Sequence, residues 1–152
     1  MKSTERITKR RINIQSLLDQ VSDPKMGGIV AFIGTVRDYS EAGKVEGIFY
    51  DAYVPMAEKK MLEVETEVKA AYPGGKLAIQ HRVGRVGVGG VTLVVAASSS
   101  HRDDAYAACR LGLELIKQNV PIWKKERLAE GGDHWVEGEE MGGSRKKRSK
   151  TG

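Results

Sequence analysis

The order in which strand and helix patterns follow one another is the feature of this sequence that most restricts its fold. Two apolar, β-branched segments, residues 28–36 and 45–53, follow each other with only a polar loop between them. The first is expected to be buried on both faces and the second to lie beside it. Residues 77–83 and 91–97 form another such pair around the glycine-rich turn GRVGVGG. Because a parallel sheet needs a crossover between successive strands, this order favours an α+β fold with a mixed or largely antiparallel sheet.

Three segments carry helical periodicity and are expected to pack on the sheet. Residues 12–21 carry a short apolar stripe, and over residues 57–71 apolar side chains recur in steps of three and four. A third helix is expected over residues 100–119, because Pro121 pushes the residue before it out of the α region. The sequence therefore predicts one domain of two to three helices and a sheet.

Several residues that often carry chemistry are better explained by packing in this chain. His81 falls on the apolar side of an alternating strand and is expected to be a satisfied core histidine. Cys109 lies on the apolar stripe of the third helix and is interpreted as packing, not as a nucleophile. Trp123 and Trp135 flank a hairpin turn within residues 121–136 and are expected to anchor the core or an interface. Three scattered histidines lack metal-ligand spacing, so no metal or other cofactor is predicted.

The charge of the chain is concentrated at its C-terminus. With 152 residues, of which 40% are hydrophobic, the chain fits one ordinary domain, expected over residues 1–140. Residues 141–152 hold five basic residues and no acid, and removing these five from the 25 basic residues leaves as many as the 20 acidic ones. This basic tail has no apolar residue to bury beyond Met141, so it is expected to be flexible.

The composition also restricts where and on what the protein works. A single cysteine excludes an internal disulfide or a Cys-based zinc site and suits a reducing cytoplasm. No apolar run approaches the roughly 20 residues of a membrane span, and the polar start lacks the apolar core of a signal peptide, so a cytoplasmic location is expected. A non-enzymatic nucleic-acid-binding module, gripping phosphates with the tail and residues 9–11, is an alternative. The neutral body and the lack of interleaved aromatic residues weigh against it.

Residues 98–102 join an apolar strand to the third helix and form a candidate anion site. Free backbone N–H groups and the positive end of the helix dipole attract anions there, and Arg102 adds a planar guanidinium suited to phosphate. Asp103 and Asp104 follow at once, and acids in a first turn commonly serve only to stabilise the helix. Capping and phosphate binding both stay open at this junction.

Two lysines and an arginine are candidates for a second site. Lys117 lies in the last turn of the third helix and Lys124 just past Pro121, so both ammonium groups can face one cleft if the chain reverses at the proline. A lysine held near other cations loses its proton more readily, which suits it for proton transfer or nucleophilic attack. Spacing alone favours the alternative that Lys117 complements a helix end and Lys124 is surface charge. Arg37 ends the first strand, where a side chain either reaches into a cleft or lies on a plain surface.

A set of motifs, taken in order, resembles the large subunits of molybdopterin synthases. The motifs are GGIVAFIGTVRD, YVPMAEKKM, IQHRVGRV, SSSHRDDAY and LIKQNVPIWKKE, followed by GDHWVEG. The resemblance covers residues 27–137. No single motif decides it, but S-x-H-R, then a lysine, then P-[IF]-W-K-[KR]-E, then W-V-E is a specific ordered set.

The resemblance implies a hammerhead-like α+β domain with a sulfurtransferase activity. Such an enzyme inserts sulfur into cyclic pyranopterin monophosphate and generates the dithiolene of molybdopterin. The sulfur comes from the C-terminal thiocarboxylate of a small ubiquitin-like carrier subunit, whose Gly-Gly tail enters a pocket of the large subunit. By similarity Lys117 and Lys124 are expected to be catalytic, and Arg37, His101 and Arg102 to bind the phosphate and pterin of the substrate.

The resemblance also implies an assembly. Large subunits of this family pair with each other and carry one small subunit at each end, so a homodimer within a heterotetramer is expected. Some relatives place a basic residue soon after W-V-E, whereas residues 138–140 are Gly-Glu-Glu here. A cation from a neighbouring subunit then has to come from elsewhere, for which the bases at 145–150 are candidates. A relative that acts only as an assembly partner is a further alternative, against which the presence of both Lys117 and Lys124 argues.

Overall fold

The computed structural model describes residues 5–136, which form an α+β domain of three helices and nine strands. The helices are α1 (Ile14–Val21), α2 (Val54–Ala71) and α3 (Arg102–Asn119). The strands are β1 (Ile7–Thr8), β2 (Gly28–Thr35), β3 (Tyr39–Ser40), β4 (Gly43–Ala52), β5 (Lys76–Arg82), β6 (Gly84–Gly87), β7 (Val91–Ser99), β8 (Ile122–Leu128) and β9 (Asp133–Val136). The predicted tail and its boundary at residue 140 lie outside the described residues, so that division stays a prediction.

The strands form two sheets, where the sequence predicts one. The first has the order β1-β5-β7-β2, and in the second β4 pairs with β3, β6 and β8, while β9 extends β8. Among the described strands only the pair β1 and β5 is parallel, so the predicted, largely antiparallel class is confirmed. Short connections between successive strands favour antiparallel pairing, because parallel strands need a long crossover connection.

Two expectations about the apolar segments are wrong. β2 is not buried on both faces: it is an edge strand paired with β7, and Ile29 and Ile33 are 43% and 42% exposed. β4 does not lie beside β2 but belongs to the second sheet. The predicted glycine-rich turn also contains β6, which pairs with residues 47–50 of β4. An apolar run shows only that a segment avoids water, and it does not show which surface covers it.

The first sheet carries a helical layer on each face. On one face α1 packs Leu17 and Val21 against Ala78 and Val94. On the other, α2 and α3 cover the main core, and Gly112 lets α3 approach β7 because a Cβ there would lie 3.2 Å from Cγ1 of Val95. This close packing fixes the direction of α3 across the sheet.

The predicted end of α3 is confirmed and sets the position of β8. The helix ends at Asn119, and the N–H of Val120 still donates to the carbonyl oxygen of Ile116 at 3.0 Å. Pro121 follows, and β8 begins at Ile122 and runs antiparallel to β4. The reversal brings the C-terminal end of α3 next to the second sheet.

Candidate active site

A cleft of about 440 Å³ opens where the two sheets meet the C-terminal end of α3. Apolar side chains line much of it, and they come from β2, β7, α3 and β8: Phe32, Ile33, Leu93, Ile116 and Ile122. Polar side chains of the loop after β2 and of β4, β5 and β8 complete the lining. An apolar cleft with a few convergent polar groups is the common form of a small-molecule site.

Three of the five predicted site residues line this one cleft. Lys117 reaches it from the last turn of α3, Lys124 from β8, and Arg37 from the loop after β2. Both lysine residues are half-buried, in contrast to the surface position that spacing alone favours for Lys124. The chain reversal at Pro121 is the reason that residues seven positions apart face the same space.

The loop that carries Arg37 is held by backbone hydrogen bonds on both sides. The N–H of Val36 donates to the carbonyl oxygen of Gly90 at 3.1 Å, and the N–H of Gly89 donates back to that of Val36 at 2.8 Å. Beyond Arg37, the N–H of Val45 donates to Asp38 at 2.8 Å. The guanidinium carbon of Arg37 lies 5.2 Å from the centroid of the Tyr39 ring, which also lines the cleft. The backbone hydrogen bonds of the loop and the face of the Tyr39 ring therefore hold Arg37 in place at the cleft.

His101 and Arg102 do not share this cleft within one chain. His101 is the N-cap of α3 and Arg102 its first residue, and both are exposed. Lys117 lies fifteen residues further along the helix, which corresponds to a separation of about 22 Å along its axis. The expectation that all five cations of one chain converge is thus wrong for these two, because a rigid helix holds them at its opposite end.

The junction at the start of α3 keeps both interpretations that the sequence leaves open. Asp103 and Asp104 lie in the first turn of α3, as expected for acids that stabilise a helix N-terminus. The His101 side chain makes no capping hydrogen bond, and the Ser100 hydroxyl donates to the carbonyl oxygen of Lys25 at 3.3 Å. Arg102 is exposed, so an external anion can reach its guanidinium.

A buried carboxylate, which sequence analysis did not single out, lies among the cations. Glu126 is 5% exposed, lines the cleft, and accepts a hydrogen bond from the hydroxyl of Ser40 at 2.5 Å. It follows Lys124 by two positions in β8, so the two side chains emerge on the same face of the sheet. This period of two within WKKE is the signal that could have identified it.

His81 and Tyr50 form the side of the cleft that borders the core. His81 is 7% exposed, and its Nδ1 lies 2.7 Å from the carbonyl oxygen of Arg82. Its ring meets that of Tyr50 edge-on, with centroids 5.0 Å apart. The prediction of a buried, hydrogen-bonded histidine is confirmed, but the residue also borders the cleft, which strand alternation alone cannot show.

The remaining candidates lie outside the cleft. Cys109 is buried, its thiol lies 3.5 Å from the carbonyl oxygen of Val95, and burial raises its pKa, all as expected for a packing residue. Trp135 is 49% exposed, so it is no core residue, and the Lys125 ammonium lies 5.0 Å from the centroid of its ring. Trp123 is half-buried in β8.

Residues 5–136 contain neither a cluster of metal ligands nor a helix suited to a membrane. No group of three or more His, Cys, Asp or Glu side chains there is placed to hold a metal ion. None of the three helices in this part of the chain has the length and apolar character that crossing a membrane requires.

Fold and cleft together define a single-domain α+β protein whose binding site suits a small anion. A family model described as MoaE protein matches residues 7–119. The chain is 43% identical over 130 residues to the molybdopterin synthase catalytic subunit of Halalkalibacterium halodurans, covering 86% of this chain and 83% of that one. The chain therefore belongs to the MoaE family, which includes catalytic subunits of molybdopterin synthase.

Solved structures agree with this assignment. The crystal structure of molybdopterin synthase from Staphylococcus aureus superposes with a TM-score of 0.84 at 34% identity, covering 90% of this chain and 99% of that chain. A protein-protein complex of subunits 1 and 2 of the molybdopterin-converting factor from Helicobacter pylori superposes with a TM-score of 0.71 at 20% identity, covering 87% and 89%. The second likeness concerns the fold alone.

Proposed function

We propose that this chain transfers sulfur from the C-terminal thiocarboxylate of a small ubiquitin-like carrier subunit to cyclic pyranopterin monophosphate, forming the molybdopterin dithiolene. One observation carries the proposal: Arg37, Lys117 and Lys124 come from three separate parts of the fold and line one cleft, beside apolar side chains. The thiocarboxylate, the cyclic phosphate and the anion released on ring opening are all negatively charged. Fixed cations in a poorly hydrated cleft stabilise such charges more strongly than water does.

The carrier's Gly-Gly terminus suits the apolar side chains that line part of this cleft. Two residues without side chains let the terminal thiocarboxylate pass between apolar walls such as those of Phe32 and Ile122. The carrier sulfur then bonds to a carbon of the pterin side chain while the bond between that carbon and an oxygen of the cyclic phosphate breaks. This opens the phosphate ring and gives a thioester between the two molecules. Water cleaves the acyl–sulfur bond, so that sulfur stays on the pterin and the carrier leaves as a carboxylate. A second thiocarboxylated carrier delivers the second sulfur of the dithiolene to the adjacent carbon, whose oxygen leaves as water.

The two lysines take different parts in this sequence. Lys117 contacts the terminal carbonyl of the carrier and stabilises the oxyanion that forms when the acyl–sulfur bond breaks. Lys124 donates or accepts the proton that the ring opening requires, and the buried carboxylate of Glu126 on the same strand face limits the positive charge of the cleft. Arg37 binds the substrate phosphate through its planar guanidinium.

A second copy of the chain supplies His101 and Arg102. In one chain these residues are about 22 Å along α3 from Lys117, so they bind the same substrate only if they reach the cleft of a neighbour. Ile29 and Ile33 of the edge strand β2 are exposed on the same face and offer an apolar surface for such pairing. A homodimer within a heterotetramer follows, with one carrier at each end.

The test is a reconstitution from purified components. This chain, a thiocarboxylated carrier and cyclic pyranopterin monophosphate are mixed, and dithiolene product is measured after its oxidation to a fluorescent pterin. Product is expected only when all three are present. A carrier that ends in an ordinary carboxylate is the control, and equal product from that carrier would contradict sulfur transfer.

A further inference from the structure

His81 has a defined hydrogen-bonding state at the edge of the cleft. Its Nδ1 lies 2.7 Å from the carbonyl oxygen of Arg82, and a carbonyl oxygen only accepts, so Nδ1 carries the hydrogen. The imidazole is thereby fixed in orientation by the backbone of its own strand. At 7% exposure its ring has little freedom to turn.

Tyr50 connects this fixed ring to a lysine of the cleft. The His81 and Tyr50 rings meet at an angle of 73°, an edge-to-face arrangement, with centroids 5.0 Å apart. Tyr50 of β4 stands directly opposite Lys124 of β8, so their side chains leave the sheet on the same face as neighbours. Side chains from β5 of the first sheet and from β4 and β8 of the second thus lead from His81 through Tyr50 to Lys124.

We propose that His81 and Tyr50 are positioning residues for Lys124, a role that rests on the proposed sulfur transfer. The carbonyl of Arg82 fixes His81, His81 fixes the plane of the Tyr50 ring, and that ring confines the lysine side chain to the cleft. A lysine has four rotatable side-chain bonds, and proton transfer needs its amine at one place. Confinement by a rigid aromatic neighbour removes the other rotamers before substrate binds.

The same strand pair offers a matched control on its other face. Phe49 precedes Tyr50 in β4 and stands opposite Lys125, whose ammonium lies 5.4 Å from the centroid of the Phe49 ring. Phe49 and Lys125 lie in the same two strands as Tyr50 and Lys124, but they face away from the cleft, and Lys125 does not line the cleft. Phe49→Leu therefore perturbs a lysine next to an aromatic ring without touching the cleft.

The variants His81→Asn, Tyr50→Leu, Tyr50→Phe and Phe49→Leu are compared in the reconstituted assay. His81→Asn keeps an N–H for the Arg82 carbonyl but removes the ring, and Tyr50→Phe keeps the ring but removes the hydroxyl. We expect His81→Asn and Tyr50→Leu to lower kcat about tenfold or more while KM for the pterin changes less than about twofold. Tyr50→Phe is expected to recover most of the kcat that Tyr50→Leu loses, because the confining ring is kept. Phe49→Leu is expected to retain the kcat of the unaltered protein.

Selective acylation gives a readout that does not depend on turnover. A small amine-reactive ester acetylates Lys124 and its neighbour Lys125, and peptide mass spectrometry gives the ratio of their rates within one sample. Loss of confinement in His81→Asn and Tyr50→Leu is expected to change that ratio roughly fivefold, the size of effect that one aromatic contact produces. Phe49→Leu is expected to alter labelling of Lys125 and leave that of Lys124 unchanged.

The outcomes separate the two proposals. If the unaltered protein makes no dithiolene, the proposed function fails, while the labelling ratio still reports on the positioning role. Positioning is overturned if His81→Asn keeps both the original kcat and the original Lys124 labelling. It is equally overturned if kcat falls only in proportion to a loss of folded protein measured by thermal unfolding.

Discussion

Lys117 has a close structural counterpart outside the cleft. Lys69 and Lys117 each lie in the last turn of an 18-residue helix, so each complements the negative end of a helix dipole. Only Lys117 also lines the cleft. A comparison of the two lysines therefore distinguishes a charge that only stabilises a helix end from a charge that also serves the reaction.

Lys117→Ala is expected to lower dithiolene formation by about 100-fold or more, because it removes a fixed cation from the developing oxyanion. Carrier affinity and thermal stability should change little. Lys69→Ala is expected to leave product formation intact while losing a similar, small amount of helix stability. Both variants are measured in the reconstituted assay and by thermal unfolding; equal activities would restore the interpretation of Lys117 as a simple helix-end charge.

Cys109 allows a prediction about protonation. Burial raises the pKa of its thiol above the ordinary value of 9.0, so the folded protein favours the neutral form. Stability linked to this group is present below pH 9 and is lost as the pH rises through and above that value, because the unfolded chain ionises first.

At pH 8, iodoacetamide is expected to alkylate Cys109 about 100-fold more slowly in the folded protein than in denaturant, since reaction requires local opening. Intact-mass spectrometry follows the modification over time. Rapid alkylation of the folded protein would contradict the interpretation of Cys109 as an inert packing residue.

At the scale of elements, the short strand β1 is attached through side chains of α2. The guanidinium of Arg6 donates to both carboxylate oxygens of Glu65 at 2.8 and 2.9 Å. Glu58 accepts from the backbone N–H groups of Arg6 and Ile7 at 2.8 and 2.7 Å. Because a strand of two residues makes few ladder hydrogen bonds, these contacts are needed to hold it against β5.

Glu65→Gln is expected to destabilise the fold by about 2 kcal/mol, because it removes the charged acceptor of both hydrogen bonds of the partly buried Arg6 and leaves only the more distant carboxylate of Glu58, 3.9 Å away, among the ion pairs of the described residues. Glu63→Gln on the same helix is the control: its carboxylate is 53% exposed and forms a surface pair with Lys60 at 3.2 Å, so less than about 0.5 kcal/mol is expected. Chemical denaturation measures both free energies of unfolding. Equal losses would show that the bidentate pair contributes no more than a surface pair.

The elements differ in how well local sequence determines them. The ends of α3 follow from its own residues, since Pro121 cannot continue a helix and His101 precedes the first acidic turn. The short β6 does not, because its four residues become a strand only through pairing with β4. The edge position of β2 likewise depends on the partner that its apolar residues find.

At the scale of the whole molecule, the proposal that two copies share each cleft is open to a complementation test. Lys117→Ala and Arg102→Ala copies are each expected to be inactive alone. A mixed dimer of the two has one cleft with both substitutions and one with neither. Random pairing makes half of the dimers mixed, so equal amounts should regain about a quarter of the original activity.

Activity of the mixture is measured after dissociation and reassociation of the two copies. An equal mixture of Lys117→Ala and Lys124→Ala copies is the control, because both of those residues line the cleft of their own chain and no intact cleft can form. If Lys117→Ala and Arg102→Ala also fail to complement, Arg102 does not act across copies. The assignment of a phosphate-binding role to His101 and Arg102 would then be withdrawn.

The sequence by itself determined where the three helices end, the antiparallel class and the family, since these depend on local periodicity, on proline and glycine chemistry and on ordered motifs. Tertiary structure alone decided that Arg37, Lys117 and Lys124 share a cleft with Glu126, His81 and Tyr50. It also decided that His101 and Arg102 lie at the far end of α3. The physical reason is that a site depends on distances between elements, and packing of one element on another sets those distances.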